Sequence, residues 1–276
     1  MDDVGHRNLG AYVAHGEVVE QGLFFVRRHA ALAFLWLADD PTLTQLVRGV
    51  FQHLQVYRRA QRGDLVADDH PSVTIALQQM LVEAFGVPDA GVTVIGNSAD
   101  LLALCSQIKD KVRVLILDLV MPGELKRDAL VKALASRDAN MNILAYTADE
   151  SPFLARAVLA SGGLGYVAKT SSTSELMDAI VAVRDGRHYL DSHIDLDSTL
   201  SHPWSTLTES ERAVLVAFCR GAKAHEIVQA TGRSYSTVTT HKYNGLGKLG
   251  VRDGNDLLAY IYENGLLHEL DADHDP

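Results

Sequence analysis

Five residues stand directly after apolar runs and carry the groups that phosphoryl transfer needs. Asp68 and Asp69 follow Leu65–Ala67, Asp118 follows Val112–Leu117, Thr147 follows Ile143–Tyr146, and Lys169 follows Gly165–Ala168. Taken alone, Asp118 reads as a solvated residue closing a strand; the set changes that reading. Three carboxylates brought to one edge repel one another unless a cation neutralises them. Hard oxygen donors of this kind suit Mg²⁺, which keeps several waters and shares its shell with phosphate. A nucleophilic carboxylate, a cation, a hydroxyl and a fixed ammonium form a phosphoryl-transfer constellation.

The elements that must position these residues can be read from the same stretch. Unbroken Val/Ile/Leu runs suit strands covered on both faces. The runs Leu65–Ala67, Val92–Ile95, Val112–Leu117, Ile143–Tyr146 and Gly165–Ala168 alternate with helical patterns over Pro71–Phe85, Ser98–Ile108, Arg127–Ser136, Pro152–Ala160 and Thr173–Arg184. Pro71 suits a first helical position. Ser172 and Glu175 have capping-box spacing. Five strands alternating with five helices imply an α/β doubly wound parallel sheet, because parallel strands need crossover connections. In a sheet ordered 2-1-3-4-5 the first and third strands are neighbours, so Asp68, Asp69 and Asp118 converge in the crevice at the strand ends.

The chain divides into an N-terminal extension (1–62), this α/β domain (63–190), a polar linker (191–203), an all-helical domain (204–270) and an acidic tail (271–276). The extension carries an apolar run, Ala30 to Ala38, too short to cross a bilayer and too far from Met1 for an export signal. Pro41 to Tyr57 has amphipathic helical spacing, and Leu37-Ala38-Asp39-Asp40-Pro41 echoes Val66-Ala67-Asp68-Asp69-His70-Pro71. At 276 residues and a formal net charge of −10, the chain has room for two cores and is no generally basic nucleic-acid binder. Two cysteines, neither at metal or redox spacing, fit a reduced cytoplasmic protein without a membrane segment. The twelve histidines are read as surface or packing residues.

The acidic set resembles bacterial two-component receiver domains. Asp68-Asp69, Asp118, Thr147 and Lys169 match that motif in order and at matching strand ends, as do the Met121-Pro122-Gly123 turn and Gly165-Tyr166-Val167-Ala168-Lys169. The resemblance implies a flavodoxin-like receiver fold and gives each residue a role. Asp118 is the phosphoacceptor, and Asp68, Asp69 and Asp118 hold Mg²⁺. Lys169 contacts the phosphoryl oxygens, Thr147 moves towards them, and Tyr166 changes rotamer. A sensor histidine kinase or phosphotransfer protein is the implied partner.

Between Arg212 and Arg252 stand seven basic residues against one acid, Glu226, a local footprint of phosphate binding in an acidic chain. Two helical patterns joined by Thr231-Gly232-Arg233-Ser234 read as a helix-turn-helix, whose second helix enters the major groove. From pattern alone the unit could also be a protein-docking bundle. Leu207-Thr208-Glu209-Ser210-Glu211, Gly221, Glu226-Ile227, Ser234, Thr237-Val238, His241 and Lys248-Leu249-Gly250-Val251 are similar to the LuxR-type domain of the NarL/FixJ class of response regulators. The Ala-Asp-Asp-His-Pro start and the Gly250-Val251…Asp256-Leu257-Leu258-x-Tyr260 ending resemble the capsule-synthesis branch of that class.

The resemblance implies a homodimer that forms on phosphorylation and binds promoter half-sites. Thr237, Thr239 and Thr240 are expected at the groove edge, with His241, Lys242 and Lys248 near phosphates or bases. Thr239 stands where the class usually has Lys, and Gly245 and Gly247 each cost the recognition helix about 1 kcal/mol against Ala. The alternative is a receiver-like interaction module that is never phosphorylated. A phosphatase of the haloacid-dehalogenase type is disfavoured, because it needs a second Asp where Val120 stands; a nicotinamide enzyme is disfavoured because no GxGxxG follows a strand. The expectation is a regulator and not an enzyme.

Overall fold

A computed structural model describes residues 63–88, 91–108 and 112–271. The expected N-terminal extension, its amphipathic helix and its echo of the first strand lie outside the described residues, as do residues 272–276 of the acidic tail.

Strands β1 (Gly63–Ala67), β2 (Val92–Ile95), β3 (Val112–Leu117), β4 (Ile143–Thr147), β5 (Gly165–Ala168) and β6 (Tyr189–Leu190) form one sheet in the order β2-β1-β3-β4-β5-β6. Every pairing is parallel. Helices α1 (Pro71–Phe85), α2 (Ser98–Gln107), α3 (Arg127–Arg137), α4 (Pro152–Ala160) and α5 (Thr173–Arg184) supply the crossovers. Two cores result, one on each face, because side chains along a strand alternate. Leu115 and Leu117 enter one cluster with Leu101, Leu130 and Leu154, while Val114 and Ile116 enter the other with Leu77, Leu81 and Ile180. All four of these β3 residues are buried, which explains why the strand reads as a continuous apolar run.

The sheet has one strand more than expected. Two residues are too few to give a periodic signal, and β6 is recognisable only because Tyr189 and Leu190 pair with Gly165 and Tyr166. The cap of α5 also differs. Ser172 accepts from Glu175 N at 3.2 Å, but the Glu175 carboxylate accepts from Tyr189 Oη at 2.9 Å and Ser192 N at 3.0 Å. The expected capping box is therefore half-formed, its carboxylate drawn off by β6 and the residues after it.

The linker holds one short 3₁₀ turn, Asp197–Thr199, and a second, Pro203–Thr206, opens the helical domain. Beyond it come α6 (Glu209–Cys219), α7 (Ala224–Thr231), α8 (Tyr235–Leu249), α9 (Gly254–Glu263) and the single turn α10 (His268–Asp271). Thr208 and Glu211 form the expected capping box on α6. Gly232 ends α7 at φ 66°, in the left-handed region that a residue with Cβ enters at a cost, and Ser234 then caps α8. The glycines in α8 differ. A Cβ on Gly245 would lie 2.8 Å from Leu215 Cδ1, whereas one on Gly247 would meet open space. Gly245 lets α8 approach α6 closely, which offsets its propensity cost. Phe153, at the start of α4, packs on the helical core around Trp204, Leu215 and Ile261.

Candidate functional site

The register of β1 against β3 sets the acidic rim. Ala67 pairs with Leu117, so Asp68 and Asp118 leave adjacent strands side by side. Asp118 N donates to Ala67 O at 2.7 Å and Asp68 N to Ile95 O at 3.0 Å, carrying the ladder one residue past the strands. Both side chains are buried, while Asp69 is more open. Lys169 arrives from the other side: Thr147 pairs with Ala168, and Lys169 N donates to Thr147 O at 2.7 Å. Its Nζ lies 2.7 Å from Asp118 Oδ2 and 2.7 Å from Asp68 Oδ2. Burial opposes the charged ammonium, but hydrogen bonds and charge from Asp118 and Asp68 outweigh it and raise the Lys169 pKa above its ordinary value.

One lysine does not balance three carboxylates. His70 joins them, its Nδ1 being 3.1 Å from Asp68 Oδ1 and 3.0 Å from Asp69 Oδ1. Ligand atoms of Asp68, Asp69, His70 and Asp118 all lie within 4.8 Å of one another. A compact, oxygen-rich donor set with excess negative charge fits a hard divalent cation. His70 is exposed, as the surface reading of the histidines expects, and its ring lies beside this acidic set.

Thr147 and Tyr166 meet on one loop residue. Thr147 Oγ1 accepts from Asp149 N at 3.3 Å, and the Tyr166 hydroxyl donates to Asp149 O at 2.6 Å. Tyr166 is fully buried, and burial first, then the charge of Asp149, pushes its hydroxyl well above the ordinary pKa. Asp149 Oδ1 in turn accepts from Ser151 N at 2.8 Å, and Ser151 Oγ donates to Gly265 O, in the helical domain, at 2.7 Å. A continuous hydrogen-bonded path thus leads from the strand ends to the turn between α9 and α10.

At the other charged region, Ser234 Oγ accepts from Thr237 N at 3.1 Å and caps α8. Val238, Gly245, Leu246 and Leu249 face inward. Thr240, Tyr243, Asn244 and Gly247 are exposed at i, i+3, i+4 and i+7, one outward stripe.

Residues 65–181 match the response regulator receiver domain, and residues 205–261 match the bacterial regulatory proteins of the luxR family. A probable transcriptional regulatory protein, SgaR of Hyphomicrobium methylovorum, is 32% identical over 186 residues, spanning 67% of this chain and 85% of that relative. The chain belongs to the NarL/FixJ-type response regulators. Response regulator UvrY of Escherichia coli (strain K12) is 27% identical over 210 residues, 73% of this chain and 94% of its own. A structure of RcsB from Salmonella enterica serovar Typhimurium, bound to a promoter in the presence of the phosphomimetic BeF3−, gives a TM-score of 0.51 at 27% identity, covering 73% of this chain and 98% of that one.

This response regulator thus couples a receiver to a LuxR-type DNA-binding domain, as transcription regulators do. Its receiver brings Asp68, Asp69, Asp118 and Lys169 together and sets Thr147, on β4, and Tyr166, on β5, against the loop beside them. Its recognition helix is less uniform. Thr240 is exposed, Thr237 serves the cap, and Thr239 Oγ1 lies 3.0 Å from Tyr235 O and 3.0 Å from Ser236 O. His241 is half-buried. Lys242 Nζ sits 4.0 Å from the centre of the Phe218 ring, and Lys248 Nζ bonds Glu211 Oε2 at 2.6 Å. Sequence reasoning missed Tyr243 and Asn244, which share the Thr240 stripe; their helical spacing from Thr240 was the available signal. It also missed Asp149 and Ser151, which no spacing marks.

Proposed function

We propose that Asp118 is the phosphoacceptor and that its phosphorylation controls dimerisation and promoter binding. The observation that carries this is the Lys169 ammonium lying 2.7 Å from a carboxylate oxygen of both Asp118 and Asp68 at the edge of a parallel sheet. Asp118 Oδ attacks phosphorus; the new P–O bond forms as the bond to the donor's leaving group breaks. Lys169 Nζ neutralises charge on the phosphoryl oxygens. Asp68, Asp69 and Asp118 would hold Mg²⁺, which when bound offsets the charge that these carboxylates and the phosphoryl group share. Lys169 then exchanges part of its carboxylate contact for phosphoryl oxygen.

Aspartyl phosphate adds negative charge and acceptor oxygens at the rim. Thr147 Oγ1 gains an acceptor for its own hydrogen, the loop through Asp149 shifts, and Tyr166 loses its partner on that loop. Ser151 and its bond to Gly265 feel the shift. The phosphoryl group biases a two-state equilibrium, by no more than its differential affinity for the two states. A symmetric dimer would then present two copies of α8 to two half-sites. Thr240, Tyr243 and Asn244, the outward stripe of α8, are the DNA contacts this geometry favours. Lys248 is exposed, but its ammonium is held by Glu211 and supports the domain from its surface.

The donor would be a sensor histidine kinase or phosphotransfer protein, and the compartment the cytoplasm. Burial pushes the thiols of Cys105 and Cys219 up to about 11, so neither is a ready nucleophile. No helix among the described residues is long and apolar enough to cross a membrane. The test treats full-length protein with acetyl phosphate, with and without Mg²⁺, and reads intact mass, oligomeric state and promoter binding together. One phosphoryl group per chain, dimers and tighter DNA binding are expected, all absent from Asp118→Asn. Undiminished labelling of that variant overturns the assignment.

A further inference from the structure

Asp191 is the first residue after β6 and opens the stretch that leads to the DNA-binding domain. It is buried, yet the reading of Asp118 as phosphoacceptor leaves it without a task. Its carboxylate grips both flanks of Lys169. Oδ2 accepts from Ala168 N, immediately before Lys169, at 2.9 Å, and from Ser171 Oγ two residues after it. The other oxygen accepts from His193 N at 3.0 Å, with His193 Nδ1 also 3.0 Å away. Asp191 N donates to Tyr166 O at 2.9 Å. One residue thus ties together the backbone beneath the switch tyrosine, the turn that aims Lys169, and the start of the linker.

The chemistry suits a clamp. Burial works against the Asp191 charge, but hydrogen bonds from Ser171, His193 and Ala168 outweigh it and hold the carboxyl below its ordinary pKa. Charge-assisted bonds of this kind are stronger than neutral ones. The end of β1 carries the same turn, with Asp68 accepting from His70 N at 2.9 Å and facing His70 Nδ1 at 3.1 Å. There the free oxygen meets Lys169 itself, whereas at β6 it meets the backbone that positions Lys169.

We propose that Asp191 is a positioning residue for phosphoryl transfer to Asp118, holding the Lys169 turn in register and joining it to the interdomain linker. This rests on Asp118 as acceptor, and the test keeps the two ideas apart. Full-length wild type, Asp191→Ala, Asp191→Asn and Ser171→Ala are labelled with acetyl phosphate over a range of Mg²⁺ concentrations, reading rate, final extent and Mg²⁺ midpoint. Asp191→Ala should slow the saturating rate about tenfold, because a small misplacement of a charge-stabilising group is costly. The midpoint and final extent should hold, since the cation ligands are untouched. Asp191→Asn, whose amide oxygen still accepts from Ala168 N, should recover part of the rate. Amide exchange at Ala168 should quicken in Asp191→Ala. Should that variant not fold, Ser171→Ala must still slow labelling about two- to threefold. Wild-type rates in these variants, or a rate loss matched by loss of final extent, overturn the positioning role and leave Asp118 standing. A wild-type chain that takes no label at Asp118 overturns both.

Discussion

The carboxylate rim and the recognition helix are the two charged regions of this regulator, and they follow different rules. At the rim, strand register brings the attachment points together, and the short Asp68 and Asp118 side chains fix two carboxylates that draw the Lys169 ammonium to 2.7 Å from each. On α8 the side chains are long and packing decides where their heads go. Lys242 turns over the Phe218 ring and Lys248 turns to Glu211, so neither belongs to the outward stripe of Thr240, Tyr243 and Asn244. Topology places a charge at a sheet edge, whereas a helix supplies only an attachment point and the neighbours choose the direction.

The contrast is broken most sharply at Lys169. Lys169→Met removes the only cation that touches both Asp68 and Asp118 among the described residues. Labelling by acetyl phosphate should fall by about 10²-fold, the loss typical when one charge-stabilising donor is removed. A rate within twofold of wild type would show that register alone does not make this lysine part of the chemistry.

The next effect belongs to Glu211, the acid that captures Lys248. Glu211 is buried, accepts from Thr208 N at 2.8 Å and bonds Lys248 Nζ at 2.6 Å. Burial raises its pKa, but the bonds to Lys248 and Thr208 outweigh this and leave the carboxyl below its ordinary value. The folded chain therefore binds this proton less readily than the unfolded chain. The stability it contributes is full above the unfolded pKa of about 4.3 and drains as pH falls through the folded value. Glu211→Gln should cost the DNA-binding domain about 2 kcal/mol near neutral pH, combining a weakened cap with a lost charged hydrogen bond. It should also flatten the acid limb of a denaturant-melt series; an unchanged limb would mean that the pair contributes nothing.

Much of the receiver was legible because its signals are local and repeat. Each apolar run marks a strand, four of the five strand ends offer polar residues, and alternation with helices implies parallel pairing, of which 2-1-3-4-5 is one of the orders allowed. The omissions share a cause. Asp191 stands at the head of a polar stretch without periodicity, and its importance comes from β6, a strand of two residues. His70 joins the rim through a turn two residues long. Ser151 caps α4 locally, but its bond to Gly265, 114 residues away in the chain, leaves no mark in the sequence. In the DNA-binding domain the caps, the turn and the helices were readable, while the partners of Lys242 and Lys248 depend on a packed neighbour that the sequence does not announce.

Salt dependence sharpens the comparison further. Each phosphate contact neutralised by a cation adds roughly one to the slope of log affinity against log salt. Lys248→Ala should leave that slope unchanged while lowering the domain's melting temperature, because its ammonium is committed to Glu211 and to Thr206 O at 3.2 Å. Arg252 is 90% exposed and its ion pair is an i,i+4 contact to Asp256 at 3.3 Å. Arg252→Ala should lower the slope by about one with little effect on melting. The reverse result, a slope that follows Lys248, would restore the lysine to the DNA backbone.

The smallest effect separates the two glycines of α8. Gly247 has no atom within 4 Å of an added Cβ and lies inside a helix, so Gly247→Ala should stabilise the domain by roughly 0.5–1 kcal/mol through helix propensity alone. Gly245 has the same intrinsic penalty but sits against Leu215, which is fully buried and cannot swing aside without disturbing the helical core. Gly245→Ala should therefore destabilise, opposite in sign for the same chemical change. Paired chemical denaturation of the two variants decides the matter. If both stabilise, α8 is not held to α6 by close approach, and the packing that sets Lys248 beside Glu211 loses its main support.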